Sequence, residues 1–311
     1  MIQSIIILLI SLFVLSKASH LVLDSSVKLS KFFGLSKLAI GFLLISIATS
    51  LPELMVSLLA AVQDNAAISV GNVLGSNITN ITLVMGLVVL AHEFAVKDKA
   101  ELLQLLKILF IASLLPLLLL IDFVARYASL FLLGVFAAYS LYILREEVIF
   151  EESGLVHPRD AVFAGMTFGA SVVILLLSAH FVVSSAVDVA FGLGLSQAAI
   201  AATLIALGTS LPEVSVGIQA ARRGETGIVA GTVLGSCIVN LTLVLGLASL
   251  ARPVVANLIV FANLLLFLLI ANFVLWILLL YRRKLGWHEG LVLIGVYALF
   301  VLSTSWLTLG L

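Results

Sequence analysis

"ATSLPE", Ala48–Glu53, lies inside an apolar run long enough to cross a lipid bilayer, and "GTSLPE", Gly208–Glu213, repeats it 160 positions later. A helix breaker beside a carboxylate is costly at that depth, so its recurrence organises the reading of the chain. Aligned without gaps at the same offset, Gly34–Leu87 and Gly194–Leu247 are identical at 28 of 54 positions. GLS, TSLPE, VLGS and the TLV before Gly86 and Gly246 all recur. Chance does not produce this, so the protein consists of two homologous halves.

The 311 residues are 63% hydrophobic and 10% charged, with a mean hydropathy of +1.30. A polytopic helical membrane protein needs that much apolar surface, at roughly 20 residues per span. Long apolar runs, rather than short alternating ones, favour helices over a barrel. Ten spans are expected, at 2–24, 37–62, 66–91, 103–121, 124–144, 161–188, 197–221, 226–250, 254–281 and 286–309. The fold class is therefore an all-α polytopic membrane protein with two five-helix repeats, residues 1–150 and 161–311, joined by a loop at 151–160. Five is odd, so the second repeat enters the membrane inverted, as in many secondary transporters. The N-terminal run lacks the positive start of a signal peptide and is read as the first span. A single cysteine, Cys237, excludes an internal disulfide.

Charge tests the topology. With the N-terminus outside, the cytoplasmic loops carry thirteen Lys and Arg, and the external loops only Arg126 and Arg252. Lys17, inside the first span, lies near enough to its inner end to snorkel. The positive-inside rule thus places the protein in the cytoplasmic membrane with both termini outside.

Pro52 and Pro212 have no N–H to give to the carbonyls of Ala48 and Gly208, so each span should break into two half-helices there. In lipid the freed carbonyls need protein, water or a cation as partners, and the end of the first half-helix favours a cation. Glu53 and Glu213 follow at once. A carboxylate at mid-membrane costs a few kcal/mol on the lenient scale and needs a compensating role. The competing reading is structural: Ser50-x-x-Glu53 and Ser210-x-x-Glu213 fit a capping box. That reading leaves the depth of the cap unexplained.

GNVLGSNITN (Gly71–Asn80) and GTVLGSCIVN (Gly231–Asn240) supply a second polar cluster. Ser76 and Asn80, like Ser236 and Asn240, are four apart and share a helix face. The GxxxG pairs Gly71/Gly75 and Gly231/Gly235 allow close helix approach. The oxygens expected to converge come from Glu53, Glu213, Asn80, Asn240, Thr49, Ser50, Ser76, Thr209, Ser210 and Ser236, with the freed carbonyls. An all-oxygen set with two negative charges suits a hard cation such as Ca²⁺ rather than a soft transition metal.

At these residues the sequence resembles the cation/Ca²⁺ exchanger superfamily, most closely its prokaryotic Na⁺/Ca²⁺ exchangers. TSLPE and G(N/T)xxGSxxxN, once per half, correspond to the family's two alpha-repeats, and the resemblance covers essentially the whole chain. It implies ten helices, alternating access with spans one and six sliding past the core, and Na⁺ and Ca²⁺ as transported substrates. It also implies Glu53 and Glu213 as shared ligands. Thr49, Ser50, Ser76, Thr209, Ser210, Ser236 and carbonyls near Ser46 and Ala206 complete the sites, and Asn80 and Asn240 sit centrally. The halves depart from each other at Asn72/Thr232 and Asn77/Cys237. Some microbial relatives carry aspartate where this chain has Asn240.

The function expected is secondary active exchange of Na⁺ for Ca²⁺, with the lipid bilayer and inorganic cations as partners, by a monomer. No organic cofactor, nucleic acid or enzymatic activity is expected; an intramembrane protease would need a motif such as HExxH, which the chain lacks. The alternative on the same scaffold is an H⁺/Ca²⁺ or K⁺-dependent antiporter. His20 and His180 are expected to pack helices, Glu146, Glu147, Glu151 and Glu152 to form a solvated patch, and Asp24 to pair with Lys28 four residues on.

Overall fold

The computed structural model describes residues 2–63, 66–95, 99–120, 122–145, 157–192, 206–251, 258–282 and 284–309. The chain opens with α1 (Ile2–Phe33). This helix runs past the expected end at residue 24, its serines folding their hydroxyls back onto the helix. Ser25 and Ser26 donate to the carbonyls of Leu21 and Val22 at 2.6 and 2.7 Å, and Gly34 ends the helix at φ +66. Only a residue without a Cβ adopts that conformation at little cost.

The second span starts at α2 (Lys37–Ile40), capped by Ser36 Oγ on Ala39 N at 2.9 Å. It continues through a π turn, Gly41–Ser46, and α3 (Ile47–Thr49). At Ser50 (φ −82, ψ 4) it bends, and α4 (Leu51–Val62) leaves at 48°. Pro52 is in the first turn of α4, where its missing N–H costs no helical bond. The expected break is therefore present, one or two residues ahead of the proline.

The third span joins α5 (Ala66–Thr79), a π turn at Asn80–Val84, and α6 (Met85–Ala91). Next come α7 (Lys99–Ala112), a 3₁₀ turn at Leu115–Leu120, and α8 (Asp122–Arg145). The second half follows the same pattern: α9 (Pro158–Gly192), α10 (Ala206–Thr209), α11 (Leu211–Arg222) and α12 (Thr226–Val239). A π turn at Asn240–Val244 then leads into α13 (Leu245–Ala251), followed by α14 (Leu258–Tyr281) and α15 (Trp287–Leu309). The π turns at Asn80 and Asn240 fall 160 residues apart, in register with the sequence repeat. In each, a threonine, Thr82 or Thr242, donates back to the carbonyl four residues earlier at 2.5 Å, which opens the helix further.

Among the described residues seven helices are long and apolar enough to span a membrane, and the bent pair at Ser50 makes eight. The expected fourth span is a shorter apolar helix, Leu102–Leu118. Residues 197–205 of the seventh, 254–257 of the ninth and most of the 151–160 loop with its glutamates lie outside the described residues. The count of ten therefore remains a reading of the sequence.

Burial ranks the spans. Ile68–Ala91 and Thr226–Ala251 are 83% and 94% buried, against 28% for Ile2–Phe33. Spans three and eight thus form the centre, and α1 packs along α9 at the periphery, facing lipid with the rest of its surface. At the centre Asn77 Nδ2 donates to the Cys237 carbonyl at 3.2 Å, and Cys237 Sγ lies 3.8 Å from the Asn77 carbonyl. Residues related by the repeat touch each other only on the axis that relates the halves, so the pseudo-twofold passes here. Gly231 meets the second span backbone to backbone: a Cβ on it would lie 2.9 Å from Gly41 Cα and from Phe42 N. The expected close approach is realised at this glycine. Away from the centre, Phe94–Ala95 (β1) and Lys284–Leu285 (β2) pair antiparallel and clip two loops together.

Candidate cation site

The bends at Ser50 and Ser210 bring the two TSLPE motifs to the central spans. Glu53 and Glu213, in the first turns of α4 and α11, are wholly buried. Thr49, Ser50, Ser210, Ser236, Asn80 and Asn240 are buried with them, Ser76 nearly so, and Thr209 is half-buried. The arrangement crosses the repeats: the side chain of Thr209 lies beside Glu53, that of Thr49 beside Glu213, and the two glutamates are close enough to repel. Ser236 Oγ donates to Glu213 Oε1 at 3.4 Å.

The polar atoms here are mostly without hydrogen bonds. Both oxygens of Glu53, Oε2 of Glu213, the hydroxyls of Ser50 and Ser210, and the amide O and N of Asn80 and Asn240 are buried and unpartnered. Buried polar groups are normally satisfied, and each orphan costs about 1–3 kcal/mol. So many of them in one place mark a site built to hold something else. The described ion pairs involve Lys37, Arg223, Arg282 and Lys284, and none reaches the glutamates. Among the described residues no cluster of three or more His, Cys, Asp and Glu exists. The set is two carboxylates with hydroxyls and amides, which is hard-cation chemistry.

At the break the rival capping-box reading fails, and the Ser46 carbonyl is already engaged. Ser50 and Ser210 make no side-chain cap to α4 or α11, so the capping box does not form. Both hydroxyls are buried without a partner. The Ser46 carbonyl is also not free: it accepts Ser50 N at 3.0 Å and Thr49 Oγ1 at 3.4 Å. The helix before Ser50 thus keeps its last ordinary bond, and a cation taking this oxygen would replace the long Thr49 contact. Ala206 is the first residue of α10, where the described part of the seventh span begins.

Sequence reasoning gave Asn72 no role. Its amide donates to the main-chain carbonyl of Glu53 at 3.0 Å and to Ser57 Oγ at 2.8 Å, strapping the third span to the helix that carries Glu53. The signal was present as a departure from symmetry: the mates of Asn72 and Ser57 are Thr232 and Gly217, which cannot repeat the strap. Thr232 Oγ1 is buried without a partner.

An all-helical polytopic protein with a buried pair of repeat-related carboxylates amid unpartnered oxygens fits the class of secondary cation transporters. The chain is a member of the sodium/calcium exchanger protein family, whose pattern matches residues 3–145 and 163–306. It is similar to the inner membrane protein YrbG of Escherichia coli, at 31% identity over 96% of this chain and 95% of that one. It is similar also to the sodium/calcium exchanger MaX1 of Methanosarcina acetivorans, at 29% identity over 95% and 97%. A solved structure of the sodium-calcium exchanger NCX_Mj, soaked with 10 mM Na⁺, superposes with a TM-score of 0.82 at 28% identity, covering 97% of this chain and 99% of that one. The protein is thus a membrane-embedded cation/Ca²⁺ antiporter.

Proposed function

We propose that this antiporter exchanges Na⁺ for Ca²⁺ across the cytoplasmic membrane by alternating access, as a monomer with both termini outside. Glu53 and Glu213 are the shared ligands. Thr49, Ser50, Ser76, Thr209, Ser210 and Ser236 supply hydroxyl oxygens, Asn80 and Asn240 amide oxygens, and Ser46 and Ala206 main-chain oxygens. The observation that carries this reading is the set of unpartnered buried oxygens around two carboxylates that, among the described residues, no Lys or Arg pairs with.

Charge explains the antiport. The central formal charge is −2, which one Ca²⁺ or two Na⁺ cancel. Holding both sets would leave +2 in a site of low dielectric, which is strongly unfavourable. Competition of this kind couples the two ions. Proton coupling would be served by a third titratable group, but the central positions 80 and 240 are both amides. A third Na⁺, as the family resemblance suggests, would make the cycle electrogenic, at about 2.3 kcal/mol per charge per 100 mV.

The test is Ca²⁺ uptake into Na⁺-loaded proteoliposomes diluted into Na⁺-free medium, with the proton gradient collapsed by an ionophore. Uptake that follows the Na⁺ gradient is expected. Uptake that needs a pH gradient and ignores Na⁺ would refute the coupling.

A further inference from the structure

Among the described residues the two halves differ at the interface of α1 with α11. α1 lies along α11 through a series of polar contacts. Gln219 Nε2 donates to Ser16 Oγ at 3.4 Å, and the hydroxyls of Ser19 and Ser215 bond at 2.5 Å. Arg223 grips Asp24 through Nη1 and meets His20 Nδ1 through Nη2 at 2.8 Å. Residues 215, 219 and 223 are four apart, so all three face α1. Gly224 then turns the chain at φ +70, and Glu225 pairs with Lys37 Nζ at 2.6 Å. The turn between α11 and α12 is thereby held by α1 on one side and by the start of the second span on the other.

Neither ion pair, and neither the Ser16–Gln219 nor the Ser19–Ser215 bond, can recur in the other half. Leu176, Ala179, Ser184 and Gln197 stand where Ser16, Ser19, Asp24 and Lys37 would repeat, and Met55, Leu59, Gln63 and Asn65 where Ser215, Gln219, Arg223 and Glu225 would. The conformation is unequal in the same sense. Gln219 is 7% exposed beneath α1, whereas its mate Leu59 is 53% exposed and Met55 55%, on the face of α4 where α9 would complete the matching interface. His180, the mate of His20, is exposed beside the ring of Phe181.

We infer that Asp24, Arg223, Lys37 and Glu225, with the Ser19–Ser215 and Ser16–Gln219 bonds, are positioning residues of the transport cycle. They seat α1 on α11, close the face carrying the α11–α12 turn, and make the two faces unequal in apparent Ca²⁺ affinity. The inference rests on the alternating-access reading above. Homologous halves of opposite orientation reach the opposite state by exchanging their conformations. The exchange seats α9 on α4 and lifts α1 from α11. Both interfaces bury apolar surface, but only one adds ion pairs; the other has at most the neutral pairs Ser184–Gln63 and Gln197–Asn65. The state in which this face is closed is therefore favoured, and ion binding from this face is weakened by the fraction of protein open to it.

The experiment uses Ser19→Cys with Ser215→Cys on a Cys237→Ser background. Hydroxyls 2.5 Å apart place the two Cβ atoms within disulfide range. Oxidation with copper phenanthroline should cross-link the pair, stop exchange, and be reversed by dithiothreitol. Separately, Asp24→Asn with Arg223→Gln should lower the apparent KM for Ca²⁺ at the face of the α11–α12 turn and raise it at the other, by about 2- to 5-fold each, in vesicles of the two orientations. The swapped pair Asp24→Arg with Arg223→Asp should restore the parental values. Exchange that continues in the cross-linked protein, or KM shifts of the same sign at both faces, would overturn the inference. A Cys237→Ser parent that takes up Ca²⁺ without regard to Na⁺ refutes the Na⁺ coupling alone, and the cross-link is then read on whichever gradient drives uptake.

Discussion

Replacing Glu213 with glutamine keeps the shape of the side chain and removes half of the central charge. Glu213 is fully buried, its Oε1 receives a 3.4 Å bond from Ser236, and among the described residues no basic side chain forms an ion pair with it. A cation held there depends on this carboxylate. Removing one member of a buried charge pair costs about 3–5 kcal/mol, equivalent to about 10²- to 10⁴-fold in Ca²⁺ affinity. In the ion-free protein the sign reverses, because two carboxylates buried in one site are costly to keep ionised together and glutamine removes one of them. Glu213→Gln should therefore be at least as stable as the parent without Ca²⁺, lose the rise in Tm that Ca²⁺ gives the parent, and show no uptake at Ca²⁺ concentrations that saturate the parent. Thermal unfolding in detergent with and without Ca²⁺, together with uptake in proteoliposomes, reads all three. Parental uptake, or a Ca²⁺-induced Tm shift of parental size, would refute the assignment. A fall in Tm without Ca²⁺ would show instead that the carboxylate serves the fold.

Asn72→Ala removes two bonds worth about 1 kcal/mol each from the helix carrying Glu53, and should raise the KM for Ca²⁺ about tenfold in uptake at graded Ca²⁺. Gly231→Ala forces a Cβ to 2.9 Å from the Gly41 and Phe42 backbones and should cost about 1–3 kcal/mol, seen as a lower Tm. Gly165→Ala, where a Cβ meets nothing within 4 Å, should leave Tm unchanged or slightly raised. On a Cys237→Ser background, a cysteine at Glu225 should label from inside and one at Asp64 from outside; labelling of both from one side would refute the inverted topology.

The repeat, the hydropathy and the two proline–glutamate motifs were legible in the sequence because each is a one-dimensional property: a period, a window average, a missing N–H. Together they defined a helical membrane protein of two halves and singled out Glu53 and Glu213, which the structure finds buried side by side. Local pairing rules did less well. Asp24 was expected to take Lys28 one turn away, but it takes Arg223, 199 residues on, because the packing of α1 against α11 brings that guanidinium closer to hand. His20, expected to pack between helices, meets the same arginine. Ser50 and Ser210 fit a capping pattern yet make no cap. The strap from Asn72 to Glu53 joins residues whose spacing along the chain carries no mark of proximity, and although Asn77 and Cys237 are repeat mates, only packing puts that pair on the axis. Composition and periodicity determine which segments enter the membrane and which polar groups must be sheltered there. Which of those groups meet is decided only when helices distant in sequence pack, because a side chain's partner depends on the helix that comes to lie against it.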